Sequence, residues 1–268
     1  MKITMLGTGM AVVKNSYHTC FVLSEEERHF LVDGGGGSRI LKILEEKKIS
    51  LGGIHDIFVS HAHTDHIMGI IWVVRMIGHM IAAGKYEGNL NIYCHEELSE
   101  GIRQICEITL GGKITCLFGE RILFVPVADR QKACILDSEI EFFDLHSKKM
   151  KQFGFVMCQK NGERLAFCGD EPLNESAFPL VEKSEWMMHE AFCLYSERDI
   201  FKPYEKSHST VKDACELAEK LNVKNLILYH TEDSHLDKKE VLYKNEGQKY
   251  YGGNLYVPYD GEEISMSV

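Results

Sequence analysis

Four metal-ligand-type side chains crowd one short stretch: His61, His63, Asp65 and His66 within Ser60-His61-Ala62-His63-Thr64-Asp65-His66. Imidazole nitrogen and carboxylate oxygen together form the donor set of zinc and related first-row metals. In extended backbone alternate side chains share a face, so His61, His63 and Asp65 are expected to converge on one side. His66 follows where the chain turns, and can face a second point. As core residues these four would be costly, because burying unpaired imidazoles and carboxylates is unfavourable. The stretch therefore reads as a metal site, with the polarisation of water and ester oxygens that bound cations permit. More histidines and acids follow apolar runs further along: His146, Asp170, His189-Glu190 and His230, with Asp33 upstream.

The elements that must hold these residues can be read from periodicity. Ile54-His55-Asp56-Ile57-Phe58-Val59 is β-rich and leads into the metal turn, and the apolar segment 67–83 behind it reads as a helix. Lys2 to Leu6, Thr19 to Leu23 and His29 to Val32 read as strands, the last two around the charged loop Ser24 to Arg28. Asp33 then opens Gly34-Gly35-Gly36-Gly37-Ser38, where glycines permit close backbone approach or positive φ. Ser38 is a candidate cap for a helix over 39–48. This loop lacks both the GxxxxGK[ST] lysine and the GxGxxG spacing, which excludes a nucleotide cradle. Asp33 reads instead as a carboxylate that orients a ligand histidine. His95 sits between the strand 90–94 and a helix from about 96 to 108, as a junction residue.

Residues 121–145 read as strands ending in Ile140 to Leu145, immediately before His146. Segments 153–159 and 164–168 form a hairpin around Asn161-Gly162. The second of them ends in Gly169-Asp170, where the glycine gives a bridging carboxylate backbone room. Ser207-His208-Ser209-Thr210 precedes an amphipathic helix over 211–221, with Ser209 or Thr210 as its cap, so His208 lies at the positive end of that helix. Residues 225–229 are one more strand, ending in His230. The tail segments 255–260 and 264–268 read as a closing strand pair. No repeat or linker interrupts the chain, so residues 1–268 are expected to form a single domain.

The whole chain has 268 residues, a formal charge of −10, 44% hydrophobic and 26% charged residues. An acidic balance without a Lys/Arg run argues against a stable nucleic-acid complex. Nine cysteines lie singly, with no CxxC pair. With no signal peptide at the start, they read as reduced thiols of a soluble, cytoplasmic protein. Arg75 and His79 interrupt the run after His66, and Gly78 and Gly84 are expected to end it early. It therefore reads as a buried helix and not a membrane span.

The order of these strand-end donors resembles the metallo-β-lactamase fold superfamily. His61-Ala62-His63-Thr64-Asp65-His66 is similar to its HxHxDH motif, and His146, Asp170 and His230 match its third, fourth and fifth motif positions. Within the superfamily the chain resembles the ribonuclease Z-like branch. Leu6-Gly7-Thr8-Gly9 is similar to its opening FLGTG, His189-Glu190-Ala191-Phe192 to its HEAT box, and His208-Ser209-Thr210 to its HST motif. The resemblance implies an α/β (α+β) fold, a four-layer αββα sandwich. It implies one metal on His61, His63 and His146, and a second on Asp65, His66 and His230, with Asp170 bridging. Homodimers are common in that branch. Two features depart from the ribonuclease: the segment between His146 and Asp170 is too short for its transfer-RNA-gripping arm, and Thr231-Glu232-Asp233-Ser234 lacks its SxRY-type sequence.

The reading that follows is a dinuclear-metal hydrolase, a phosphodiesterase using a metal-bridging hydroxide on a small or nucleotide-type phosphodiester. Two divalent cations, less the charges of Asp65, Asp170 and that hydroxide, leave a small positive excess that suits a phosphodiester monoanion. Asp65 would handle the nucleophile's proton. His208, held by Glu190, would donate to the leaving oxygen. Zinc is the default metal, and manganese or iron also fits. His63 stands where iron enzymes of oxygen chemistry typically carry glutamate, which favours hydrolysis. The competing readings are a transfer-RNA 3′-end endonuclease, a lactonase, thioesterase or sulfatase, and a non-catalytic metal-binding module.

Overall fold

The apolar runs assemble into two seven-stranded mixed sheets, each in its own compact unit. In the computed structural model, which describes residues 1–266, one unit comprises Met1–Gly7, Tyr17–Ala128 and the chain from Asp260 onward. The other comprises Thr8–Ser16 and Asp129–Tyr259. Residues 267 and 268, the end of the tail read as a strand, lie outside the described residues.

The first unit's sheet is built from β1 (Lys2–Gly7), β2 (Cys20–Glu25), β3 (Arg28–Val32), β4 (Ile54–Phe58), β5 (Leu90–Cys94) and β6 (Ile122–Pro126), in that spatial order. β1 to β3 are antiparallel and β3 to β6 parallel. The β2–β3 hairpin is tighter than the sequence suggests, its strands closing over Glu26-Glu27 with Glu26 at φ 53°. Buried Leu31, Ile57 and Ile92 form a core with helices α1 (Arg39–Glu46), α2 (Thr64–Ala82) and α3 (Glu96–Thr109). Ser38 stands at the start of α1 but makes no capping hydrogen bond. His95 caps α3, its Nδ1 accepting the Leu98 N–H at 3.3 Å.

α2 is long and apolar enough to cross a membrane by composition, yet 61% of that window is buried inside the protein. Gly78 does not end it. That glycine makes room for Ile114, whose Cγ2 would stand 2.6 Å from a Cβ there, and the helix continues to Ala82 before Gly84 turns the chain at φ 68°. The Gly-rich loop seats the start of α2. Gly34 N–H donates to His66 O at 2.8 Å and Gly69 N–H to Gly35 O at 2.9 Å. A Cβ on Gly69 would fall inside the Gly34 carbonyl, so this contact requires glycine.

The second unit's sheet runs β7 (Lys132–Ile135), β8 (Ser138–Asp144), β9 (Phe153–Cys158), β10 (Arg164–Phe167), β11 (Trp186–Glu190), β12 (Asn225–Tyr229) and β13 (Asn254–Tyr256), again in spatial order. β7 to β10 form an antiparallel meander and β10 to β13 are parallel. Helices α4 (Val211–Lys220) and α5 (Lys239–Gly247) pack on it through Val211, Ala214, Ala218 and Tyr243. Thr210, not Ser209, caps α4, in a capping box with Asp213. The tail strands do not pair with each other. β13 extends the second sheet beside β12, while Glu263–Ser265 lies antiparallel to β1 in the first. Each tail segment covers an open sheet edge, which satisfies more backbone groups than a two-stranded ribbon can.

Candidate metal centre

In the first unit, the metal turn starts just past β4, and α2 begins at Thr64 with His63 as its N-terminal cap residue. Asp65 and His66 therefore occupy the first helical turn, not the extended backbone that periodicity suggested for Asp65. A carboxylate there is favoured by the helix dipole. His61, Asp65 and His66 are buried, and His63 is half-buried. Asp33 organises the cluster. Its Oδ1 accepts the Ser60 N–H at 2.8 Å, and its Oδ2 accepts the Ser60 hydroxyl at 2.7 Å and His66 Nδ1–H at 2.8 Å.

Because the Ser60 hydroxyl donates to Asp33, its oxygen is the acceptor for His61 Nδ1–H at 2.9 Å. Both rings are thereby held in the tautomer with the lone pair on Nε2. His61 Nε2 lies 2.8 Å from His63 Nδ1, and His66 Nε2 lies 3.4 Å from Asp65 Oδ2. The expectation that Asp33 orients a histidine is met at His66. Ser60 doing the same for His61 was missed, although a hydroxyl immediately before the first histidine is a visible signal.

The second unit gathers Asp170, Glu190, His208 and His230, all buried or nearly so. Asp170 follows Gly169 at φ 70°. Gln152 brackets Asp170, its amide donating to Oδ1 and its Oε1 accepting the Asp170 N–H at 3.1 Å. Asp170 Oδ2 lies 3.5 Å from His230 Nε2. Tyr229 OH donates to Gly169 O and ties these two strand ends together. Thr231 pairs with the glycine turn near the start of the chain, its N–H donating to Thr8 O and its carbonyl accepting the Met10 N–H, both at 3.0 Å. The LGTG-like motif thus braces the residue directly after His230.

Glu190 is fully buried, and its Oε1 accepts the Ser209 N–H. Its Oε2 faces His208 Nδ1 at 3.7 Å, and both atoms are buried without a hydrogen-bond partner. The His208 ring stacks on Phe192 at 4.8 Å and lies 5.1 Å from the His230 ring. One ligand atom each from Glu190, His208 and His230 lies within 4.8 Å of the others. Burial pulls the His208 imidazolium down, but the Glu190 carboxylate outweighs it and holds the pKa above the ordinary histidine value. His189 is of the opposite kind. Burial lowers its pKa, Nδ1–H donates to Glu190 O at 2.7 Å, and Nε2 accepts the Leu173 N–H at 3.4 Å.

His146 stands apart within its unit: its side chain is 54% exposed, with Nδ1 3.9 Å from Asp144 Oδ1. It shares one feature with Asp33 and His230. All three directly follow or closely follow strands and adopt left-handed backbone, at φ 53°, 56° and 57°. Such a conformation costs about 1–2 kcal/mol in a residue with a Cβ. The donor set fits divalent metal, since buried imidazoles with lone pairs fixed on Nε2 and carboxylates held by donors on one oxygen are the groups such an ion binds.

Two mixed sheets with helices and histidine–aspartate clusters at strand ends define a metal-dependent hydrolase of the metallo-β-lactamase superfamily, of the ribonuclease Z-like kind. The chain belongs to the family described as Anti-Pycsar protein Apyc1, whose model matches residues 1–249. It is 28% identical to the ribonuclease Z of Methanothermobacter thermautotrophicus, over 86% of each chain. The crystal structure of the metallo-β-lactamase fold protein YhfI from Bacillus subtilis is similar at a TM-score of 0.77 and 17% identity, covering 98% of both chains. The short form of human tRNase Z is similar at a TM-score of 0.76 and 20% identity, covering 100% of both.

Proposed function

We propose that this protein is a dinuclear-metal phosphodiesterase acting on a small or nucleotide-type phosphodiester. The observation that carries the reading is His208, stacked on Phe192, faced by the buried Glu190 carboxylate and lying beside His230. An imidazolium maintained in that place can give its proton to a leaving alkoxide, which an alkyl phosphodiester needs and an activated acyl ester does not. Two divalent ions, zinc by preference, would supply an activated water and neutralise charge at the phosphate. His61, His63, Asp65, His66, His146, Asp170 and His230 are the residues we assign to hold them, with residues 1–268 serving as one hydrolase domain. Asp65 Oδ2 would take or orient the proton of the attacking water.

Two lines support a small substrate over transfer RNA. The segment between His146 and Asp170 is taken up by β9, β10 and the tight turn at Gly162, φ 86°. The formal charge of −10 gives no general attraction to a phosphate backbone. A homodimer is the partner we expect. Met68, Trp72 and Met76, spaced one turn apart on α2, are 37–41% exposed and offer it an apolar face.

A substrate panel tests the reaction class. Metal-loaded protein is expected to cleave bis(p-nitrophenyl) phosphate in preference to a lactone, a thioester and a precursor transfer RNA. Silence on the phosphodiester with turnover of a carbon ester would put acyl chemistry first.

A further inference from the structure

The loop between His146 and β9 carries three lysines, Lys148, Lys149 and Lys151. Ser147 folds it back: its Oγ accepts the N–H groups of Lys149 at 3.2 Å and Met150 at 3.3 Å. Lys149 is thereby turned toward Glu171, the residue directly after Asp170. Its Nζ lies 4.0 Å from Glu171 Oε1, with side-chain exposures of 33% and 11%. That separation is too long for a hydrogen bond, so the pair is held by charge alone.

Lys149 also lies within electrostatic reach of the leaving-group acid. Asp170 favours the charged form of His208, while Lys149 opposes it. An ammonium group thus stands against the residue that follows Asp170 in the chain, loosely countered by its carboxylate. None of the roles assigned so far uses either group.

We propose that Lys149 is the residue that reads the substrate's negative charge, binding a non-reacting phosphate oxygen, and that Glu171 is the anion holding it in place until substrate arrives. This rests on the phosphodiesterase reading. Exchanging Glu171 for phosphate costs little, because a lysine one-third exposed and 4.0 Å from its partner carboxylate, at 33% and 11% side-chain exposure, gains at most about 1 kcal/mol from the pair. A charge-assisted bond to phosphate is stronger and shorter. The device would also sharpen specificity: a neutral lactone or thioester has no anion to offer, and leaves Lys149 on Glu171.

The test compares Lys149→Gln, Lys149→Arg and Glu171→Gln by the kinetics of bis(p-nitrophenyl) phosphate and by calorimetric binding of inorganic phosphate to metal-loaded protein. Lys149→Gln is expected to raise KM about tenfold with kcat within about threefold, to weaken phosphate binding by a similar factor and to flatten the salt dependence of both. Lys149→Arg should restore most of the affinity, and Glu171→Gln should lower KM by removing the competing anion. Unchanged KM and phosphate affinity in Lys149→Gln would overturn the proposal, as would equal losses in the glutamine and arginine variants. Wild-type protein inert toward the phosphodiester would overturn the phosphodiesterase reading instead. Phosphate binding would then still decide whether Lys149 reads the anion.

Discussion

Two histidines on either side of one buried glutamate show how surroundings divide labour between like groups. His208 faces the Glu190 carboxylate, which raises its proton affinity, whereas His189 hydrogen-bonds the Glu190 carbonyl and the Leu173 amide, and burial outweighs the Glu190 charge to lower its pKa. Separated proton affinities of this kind mark a proton donor beside a structural group. His208→Ala should therefore slow alkyl phosphodiesters by about 100-fold or more and aryl esters with good leaving groups much less; rates measured across a leaving-group series check this, and equal losses would contradict it. His189 has a folded-state pKa below its unfolded one. Its contribution is fully present above the unfolded pKa near 6.5 and is lost as pH falls toward the folded value, by about 1.4 kcal/mol per pH unit for one proton. Urea unfolding between pH 7 and pH 5, in roughly the range where histidine titrates, should show a shallower pH slope for His189→Gln than for wild type.

At the scale of elements, the predicted donors lie at strand ends and one helix start. Left-handed backbone at Asp33, His146 and His230 turns the chain sharply as each strand ends. The exposed His146 is the place to measure what this costs. His146→Gly should raise stability by up to about 1 kcal/mol in denaturant titration while removing turnover; a destabilised or fully active variant would contradict the assignment. The start of α2 is fixed by the contact of Gly69 with Gly34, so Gly69→Ala must shift the helix that carries Asp65 and His66 away from Asp33. We expect a loss of about 3 kcal/mol or more by the same titration, and a loss below about 1 kcal/mol would mean the helix start can yield. Much of this was legible. HxHxDH between a β-rich run and an apolar run announces the candidate donors, and Asp33 before four glycines reads as a carboxylate that orients a histidine beside a close backbone approach. What escaped were long-range partners: Gln152 clasping Asp170 across the open end of the β9–β10 hairpin, and tail strands that join separate sheets. Local pattern carries no register information for such pairs. The misplaced role of Gly78 has the same cause, since only packing against Ile114 shows why a glycine can sit inside that helix.

At the scale of the molecule, each sheet combines an antiparallel meander with a parallel half, and the predicted donors cluster past the carboxyl ends of strands, where open α/β sheets bind their ligands. The predicted donors are widely spaced along the chain, and only the 61–66 cluster is dense enough to be seen alone. All nine cysteines are free thiols, and the histidines and carboxylates carry the predicted ligation without them. The central claim is that this donor set drives phosphodiester hydrolysis through bound metal. The most direct test follows bis(p-nitrophenyl) phosphate cleavage and metal content in one sample, before chelation, after chelation and after zinc is restored. The expected result is turnover that disappears with the metal and returns with about two equivalents of zinc per chain. Turnover that survives complete removal of metal, or its absence from fully loaded protein, would contradict the account.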